Sequence, residues 1–165
     1  MTLALLTDVE VGIKWPNDIL LNRKKLVGIL TEMDCDMETI HSVTVGMGIN
    51  VNTEAFPEDL QDIATSLYLE TGREYDRAEI AGCVMKHFEA LYEEFLEKGG
   101  VFAPFKERYR RKCLNIGKEV RVIGRETYLA MALDITPEGE LIVKREDNGA
   151  EEVVFSGEVS IREKE

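Results

Sequence analysis

The spacing of apolar residues changes twice along this chain, and that change limits the folds available to it. From Val11 to Val51 apolar residues fall in short β-rich runs, VGIKW at 11–15, KLVGILTEM at 25–33 and SVTVGMGINV at 42–51. From Pro57 to Leu114 they recur every third or fourth position, as on one side of a helix. After Asn115-Ile116-Gly117 the period returns to two, in EVRVIG, TYLAMALD, ELIVKR, EEVVF and EVSIR, separated by the turn signals Pro137-Glu138-Gly139 and Asp147-Asn148-Gly149. The pattern predicts an α+β chain in two domains, 1–115 and 116–165, the second a small β-barrel of five short strands.

Within the first domain, the runs at 25–33 and 42–51 read as an antiparallel hairpin across the acidic turn DCDMET. EDLQDIATSLYLETG reads as a helix ending at Gly72, followed by a longer helix with a capping box of Asp76 and Glu79, closed by Gly99-Gly100. Ile80, Val84, Phe88, Leu91, Tyr92 and Phe95 on that helix read as core. FAPFKERYRRKCL reads as a further helix, and its Arg108, Arg110, Arg111 and Lys112 read as a solvated face rather than a phosphate patch.

With 44% hydrophobic residues in 165, the chain can bury a sizeable core. Its 20 basic and 32 acidic residues leave a net charge of −12, which repels a phosphate backbone and argues against nucleic acid as a partner. Cys35, Cys83 and Cys113 are odd in number and without CxxC spacing, so neither a disulfide framework nor a zinc site is indicated. The opening MTLALLTDVE has no basic start and meets charge by Asp8, and no apolar run reaches membrane-spanning length. The expectation is a cytoplasmic protein with no membrane partner.

Three short segments carry the chemistry. Lys14-Trp15-Pro16-Asn17-Asp18 sets a cation and an amide–carboxylate pair around a proline that restricts φ and holds the residue before it extended. Lys25 opens the next strand, where Gly28 leaves room for a close approach. Gly46-Met47-Gly48-Ile49-Asn50-Val51-Asn52 again combines bare backbone with amides. Together they could hold an anionic ligand. Taken singly, each has a structural explanation as a turn cap, an edge lysine or a bulge. GMGIN lacks the third glycine of a dinucleotide fingerprint.

In this order, KWPNDILLN, KKLVGILTE, VGMGINVN and a terminal GEVSIRE resemble the biotin–protein ligase family over essentially the whole chain. Lipoate ligases are the related alternative, which KWPND with KLVGIL disfavours. The resemblance implies part of a biotin/lipoate-ligase-type mixed sheet with helices on one face, then a Src-homology-3-like barrel. It implies activation of biotin by ATP and Mg²⁺ to biotinyl-adenylate, and transfer to a lysine of the biotin carboxyl carrier protein of a carboxylase. By motif match Lys25 is the catalytic residue and touches biotin, with Gly28 and Ile29 lining the biotin strand. Lys14, Trp15, Asn17, Asp18 and Asn50 fall in the ATP region, Asp18 also matching a Mg position, and Glu158 and Arg162 fall near the nucleotide. The family's earlier half, with its GRGRxGR-type loop, does not occur here. The expectations are therefore a catalytic portion completed by a separate chain, or a non-catalytic nucleotide- or carrier-binding module. Exposed strand edges and Leu3, Leu5 and Leu6 suggest a homo-oligomer.

Overall fold

A computed structural model describes residues 9–156 and 160–163. The segment with Leu3, Leu5 and Leu6, and Glu158, lie outside them. The chain forms two compact units. Residues up to Val11 join Asn17–Val84 in the first, and Gly12–Pro16 join Met85–Glu165 in the second.

In the first unit, β2 (Asp18–Leu21), β3 (Lys24–Cys35) and β4 (Ile40–Ile49) pair antiparallel in that order. The expected hairpin is present and longer than the apolar runs, because Asp36 Oδ1 closes its turn by accepting from the Glu38 and Thr39 amides at 2.9 and 2.8 Å. Leu26, Val27, Val51, Leu67 and Ile80 make the core. Beyond Ile29 both hairpin strands are largely exposed, with Leu30, Met33, Ile40, Val43 and Val45 all more than a third accessible.

The helix expected over 58–72 shortens to α1 (Leu67–Thr71). Residues 57–64 form turns instead, because the following Thr65 and Ser66 are buried in extended backbone beside β3. The Thr65 amide donates to Lys25 O at 2.9 Å, and Ser66 Oγ then caps α1 by accepting from the Leu69 amide at 3.1 Å. Gly72 ends α1 as expected, at φ 69°. A long helix, α2 (Arg77–Glu97), follows, with Asp76 Oδ1 accepting from the Ala78 amide at 2.8 Å. The core expected along it is only partly present. Ile80 is buried, whereas Phe88, Leu91 and Tyr92 are 39–51% exposed. Phe88, Tyr92 and Phe95 instead stack on one another, with centroids 6.2 and 6.3 Å apart.

The second unit contains β1 (Gly12–Lys14), a 3-10 turn at Ala103–Phe105, α3 (Lys106–Arg110) and five antiparallel strands. These are β5 (Glu119–Ile123), β6 (Thr127–Ile135), β7 (Leu141–Arg145), β8 (Glu151–Val154) and β9 (Ser160–Glu163), in the order β8-β7-β6-β5-β9. The expected five-stranded, barrel-like sheet is present. Its inward residues alternate as period two requires: Val120 and Val122, Ala130 and Ala132, Leu141 and Val143. A bulge after Ala132 shifts the alternation, so Ile135 points in and Asp134 points out to Lys106 and Arg110, at 3.0 and 2.7 Å. The basic stretch is a face of ion pairs, with Arg108 on Glu94 at 3.3 Å and Arg111 on Glu107 at 3.2 Å.

Candidate ligand site on the first sheet

A single extra residue in β3 creates the site. In the β2–β3 ladder Asp18 faces Gly28 and Ile19 faces Val27, but Leu20 faces Lys25, so Leu26 is an unmatched residue in β3. Without this bulge Lys25 and Gly28, three positions apart, would point to opposite faces. With it, Lys25, Gly28 and Asp18 share one face. Two further bonds lock the lysine main chain, from Lys25 N to Ile63 O at 2.7 Å and from Thr65 N to Lys25 O at 2.9 Å.

The Lys25 ammonium lies 2.5 Å from Asp18 Oδ1. Cross-strand pairing extends the same face into a bare floor, since Gly28 opposes Gly48 and Leu30 opposes Gly46. These residues, with Asn17, Ile29 and Met47, line an open groove of about 580 Å³. Asn17 is held at its rim by a pair of bonds to Ile29, one from its side-chain amide to Ile29 O at 2.5 Å and one from Ile29 N to its carbonyl at 3.1 Å. The groove thus combines one cation, one carboxylate and one amide on a floor left bare at Gly28, Gly46 and Gly48 and bounded by Leu30. That set suits a ligand carrying negative charge and a flat or extended body.

Five of the expected site residues, Asn17, Asp18, Lys25, Gly28 and Ile29, meet here. Ile29 contributes mainly backbone, because its side chain packs on the first unit's core. Asn50 does not line the groove: its side-chain amide donates to Thr65 O at 3.0 Å and so steadies the segment that locks Lys25. Lys14 and Trp15 belong to the second unit, and the Trp15 ring, 2% exposed, sits in that unit's core. The ring thus packs inside the second unit. Arg162 is described as a backbone position in β9 opposite Arg121. Gly46, Met47 and Gly48 come from the third expected segment, whereas Leu30 was not expected; GMG sets two bare positions at strand period, which need the register to give them a face.

Among the described residues no three His, Cys, Asp or Glu side chains gather as a metal site, so Asp18 is the single carboxylate available in this groove. One carboxylate suits a Mg²⁺ that arrives on substrate phosphates and keeps much of its water. It does not suit a resident ion.

Gly28 gives a direct test of the geometry. A Cβ there would lie 2.9 Å from Lys25 Cε and 3.0 Å from Nζ. The far end of a flexible side chain would yield, so Gly28→Ala is expected to leave thermal stability nearly unchanged while moving the ammonium off its place. Titration with inorganic pyrophosphate, beside the melting curve, would show whether anion affinity falls while stability holds, as expected.

The profile of the Biotin/lipoate A/B protein ligase family matches residues 4–50, and that of the Biotin protein ligase C terminal domain matches residues 116–162. The bifunctional ligase/repressor BirA of Bacillus spizizenii is 40% identical over 142 residues, which are 84% of this chain and 43% of that protein. A biotin–[acetyl-CoA-carboxylase] ligase of Mycobacterium tuberculosis is 37% identical over 89% of this chain and 51% of its own length. The chain thus spans about half or less of the length of these curated relatives. Among solved structures, the apo biotin protein ligase of Aquifex aeolicus overlays with a TM-score of 0.88 at 32% identity, over 99% of this chain and 70% of that one. The same enzyme in complex with biotin and ATP overlays at 0.85. Two matching domain profiles, and an overlay of nearly every residue on a ligase that shares a third of them, place this chain in the biotin protein ligase family.

Proposed function

We propose that this chain supplies the Lys25 side of a biotin protein ligase site. The observation that carries this reading is the Lys25–Asp18 pair above the Gly28–Gly48 floor, supported by similarity to a ligase solved with biotin and ATP. In the reaction, the biotin carboxylate attacks the α-phosphorus of ATP and pyrophosphate leaves. A carrier-protein lysine then attacks the acyl carbon, and AMP leaves.

Negative charge builds on the α-phosphate oxygens in the first step and on the acyl oxygen in the second. An ammonium preset on a bulged strand can stabilise both without reorganising. Lys25 therefore binds the biotin carboxylate and the α-phosphate, and Asp18 holds the ammonium on that face before ligand enters. Asn17 orients the rim, and the glycine floor admits the ligand body. Mg²⁺ accompanies the nucleotide and neutralises phosphate charge, with Asp18 the residue that would meet it. The motif match puts Lys14 in the ATP region as well.

The natural acceptor in this reading is the biotin carboxyl carrier protein of a carboxylase, in the cytoplasm. Among the described residues no helix is long and apolar enough to cross a membrane. The exposed apolar side chains of the β3–β4 hairpin support an assembled protein, either a homo-oligomer or a complex with a chain that supplies the rest of the catalytic domain.

The 165-residue chain by itself is expected to release little pyrophosphate from biotin and MgATP, because its groove is open and its sequence holds no arginine-rich loop to close it. Lost closure and positioning should cost several kcal/mol of barrier. A coupled pyrophosphate assay on pure protein checks this. Turnover like that of an intact ligase would mean that the described groove is sufficient alone.

A further inference from the structure

Gly12–Pro16 are tied into the second unit by main-chain and side-chain hydrogen bonds. Ile13 N donates to Lys112 O at 2.7 Å, and Leu114 N donates to Ile13 O at 2.7 Å. The Trp15 amide donates to Asn115 Oδ1 at 2.8 Å, across 100 residues of sequence. The indole Nε1 donates to Gly139 O at 3.0 Å, and the Tyr109 hydroxyl donates to Pro16 O at 3.0 Å. A Cβ on Gly12 would fall 2.5 Å from the Leu114 side chain, so the close approach of the two segments needs glycine there.

Asn115 is the informative residue in this set. It is fully buried, and its Nδ2 has no hydrogen-bond partner among the described residues. An orphaned buried amide is costly, and an apolar side chain of that size would avoid the cost. What an apolar side chain could not supply is the acceptor for the Trp15 amide. The Cys113 thiol also lies 3.9 Å from the same oxygen, and burial pushes that thiol's pKa up, so it stays protonated and can donate. Burial likewise raises the pKa of the Tyr109 hydroxyl, which remains a donor at ordinary pH.

We propose that Asn115, seconded by Tyr109, is a positioning residue for the Lys14–Pro16 segment. By fixing the main chain at Trp15 and Pro16 it sets the place of Lys14, the cation that the motif match puts in the ATP region. The nucleotide half of this proposal rests on the ligase reading above. Asn115 was not singled out by sequence as more than a boundary marker, since nothing in NIG at 115–117 points 100 residues back.

The full 165-residue chain serves for the test, with Asn115→Leu, Asn115→Asp, Tyr109→Phe and, as a control, Tyr128→Phe, which loses only the bond from its hydroxyl to Glu152 at 2.7 Å. Hydrogen exchange over residues 12–18 reads the clamp, and calorimetric titration with MgATP reads its consequence. Asn115→Leu and Tyr109→Phe are expected to raise exchange and weaken MgATP binding about tenfold, the scale of one lost buried hydrogen bond. Asn115→Asp keeps the acceptor oxygen but buries a carboxyl group, so exchange and affinity are expected to fall between those of Asn115→Leu and the unaltered chain, whereas Tyr128→Phe should change neither. If Asn115→Leu does not fold, the smaller Tyr109→Phe change carries the comparison. The proposal is overturned if folded variants keep unaltered exchange at 12–18, if MgATP affinity stays the same while exchange rises, or if the control changes as much as they do. No MgATP binding by the unaltered chain would reject the ligase reading, and the exchange comparison would still decide the clamp.

Discussion

Replacing Lys25 with alanine is expected to slow biotin adenylation by about 10²–10³-fold in an assembled ligase that contains this chain, the scale seen when one preset donor to a developing oxyanion is removed. The lysine beside it provides the contrast. Lys24 Nζ donates to Gln61 O at 2.7 Å and lies outside the groove, so Lys24→Ala should cost little. Single-turnover rates for the two variants, with biotin and MgATP saturating, separate the assignments. Equal losses would mean that general positive charge matters rather than a placed ammonium. Lys25→Arg is a useful third arm, because a longer planar cation cannot occupy the same point above Gly28.

The second large effect is on stability. Trp15→Ala is expected to destabilise the second unit by about 3–5 kcal/mol, the range for removing a large aromatic from a packed core. The ring is 2% exposed among residues such as Val120, Ala132, Leu141 and Val143, and it also loses its bond to Gly139 O. Trp15→Phe should recover most of the packing and none of that bond. Denaturant unfolding followed by circular dichroism measures both. A loss below about 1 kcal/mol for Trp15→Ala would place the ring outside the core, since such a value is typical of surface substitutions.

This pair of expectations also marks how far the sequence could be read. Trp15 stands inside the KWPND motif, and motif match alone put it with the nucleotide contacts. Only the fold reveals that Gly12–Pro16 belong to the second unit, because their partners lie at 109–115 and 139. The barrel strands were legible because they alternate, and the turns after β6 and β7 carry glycine at positive φ, 96° at Gly139 and 73° at Gly149. The hairpin was legible from β-rich runs on either side of the acidic turn DCDMET.

The β3 bulge was not legible. Lys25-Leu26-Val27 is an ordinary strand sequence, and nothing local says that Leu26 will go unmatched. Lys25, Gly28 and Asp18 could be named from the motif, but their sharing one face is a property of register. The helix expected at 58–72 failed because Thr65 and Ser66 are drawn into extended backbone beside Lys25, a tertiary contact that overrides local propensity. The α2 residues Phe88, Leu91 and Tyr92 follow a core period, yet in the described structure they line up on the helix surface.

The central claim is that Lys25, placed by the bulge beside Asp18 and Gly28, meets the charged junction between biotin and nucleotide. Equilibrium binding of a non-hydrolysable biotinyl-adenylate analogue to the 165-residue chain and to its Lys25→Ala variant tests it most directly. Loss of a charge-assisted contact is worth about 1.5–3 kcal/mol, so the account predicts measurable binding that falls at least about tenfold in the variant. No binding to the unaltered chain, or equal binding to both, would contradict it.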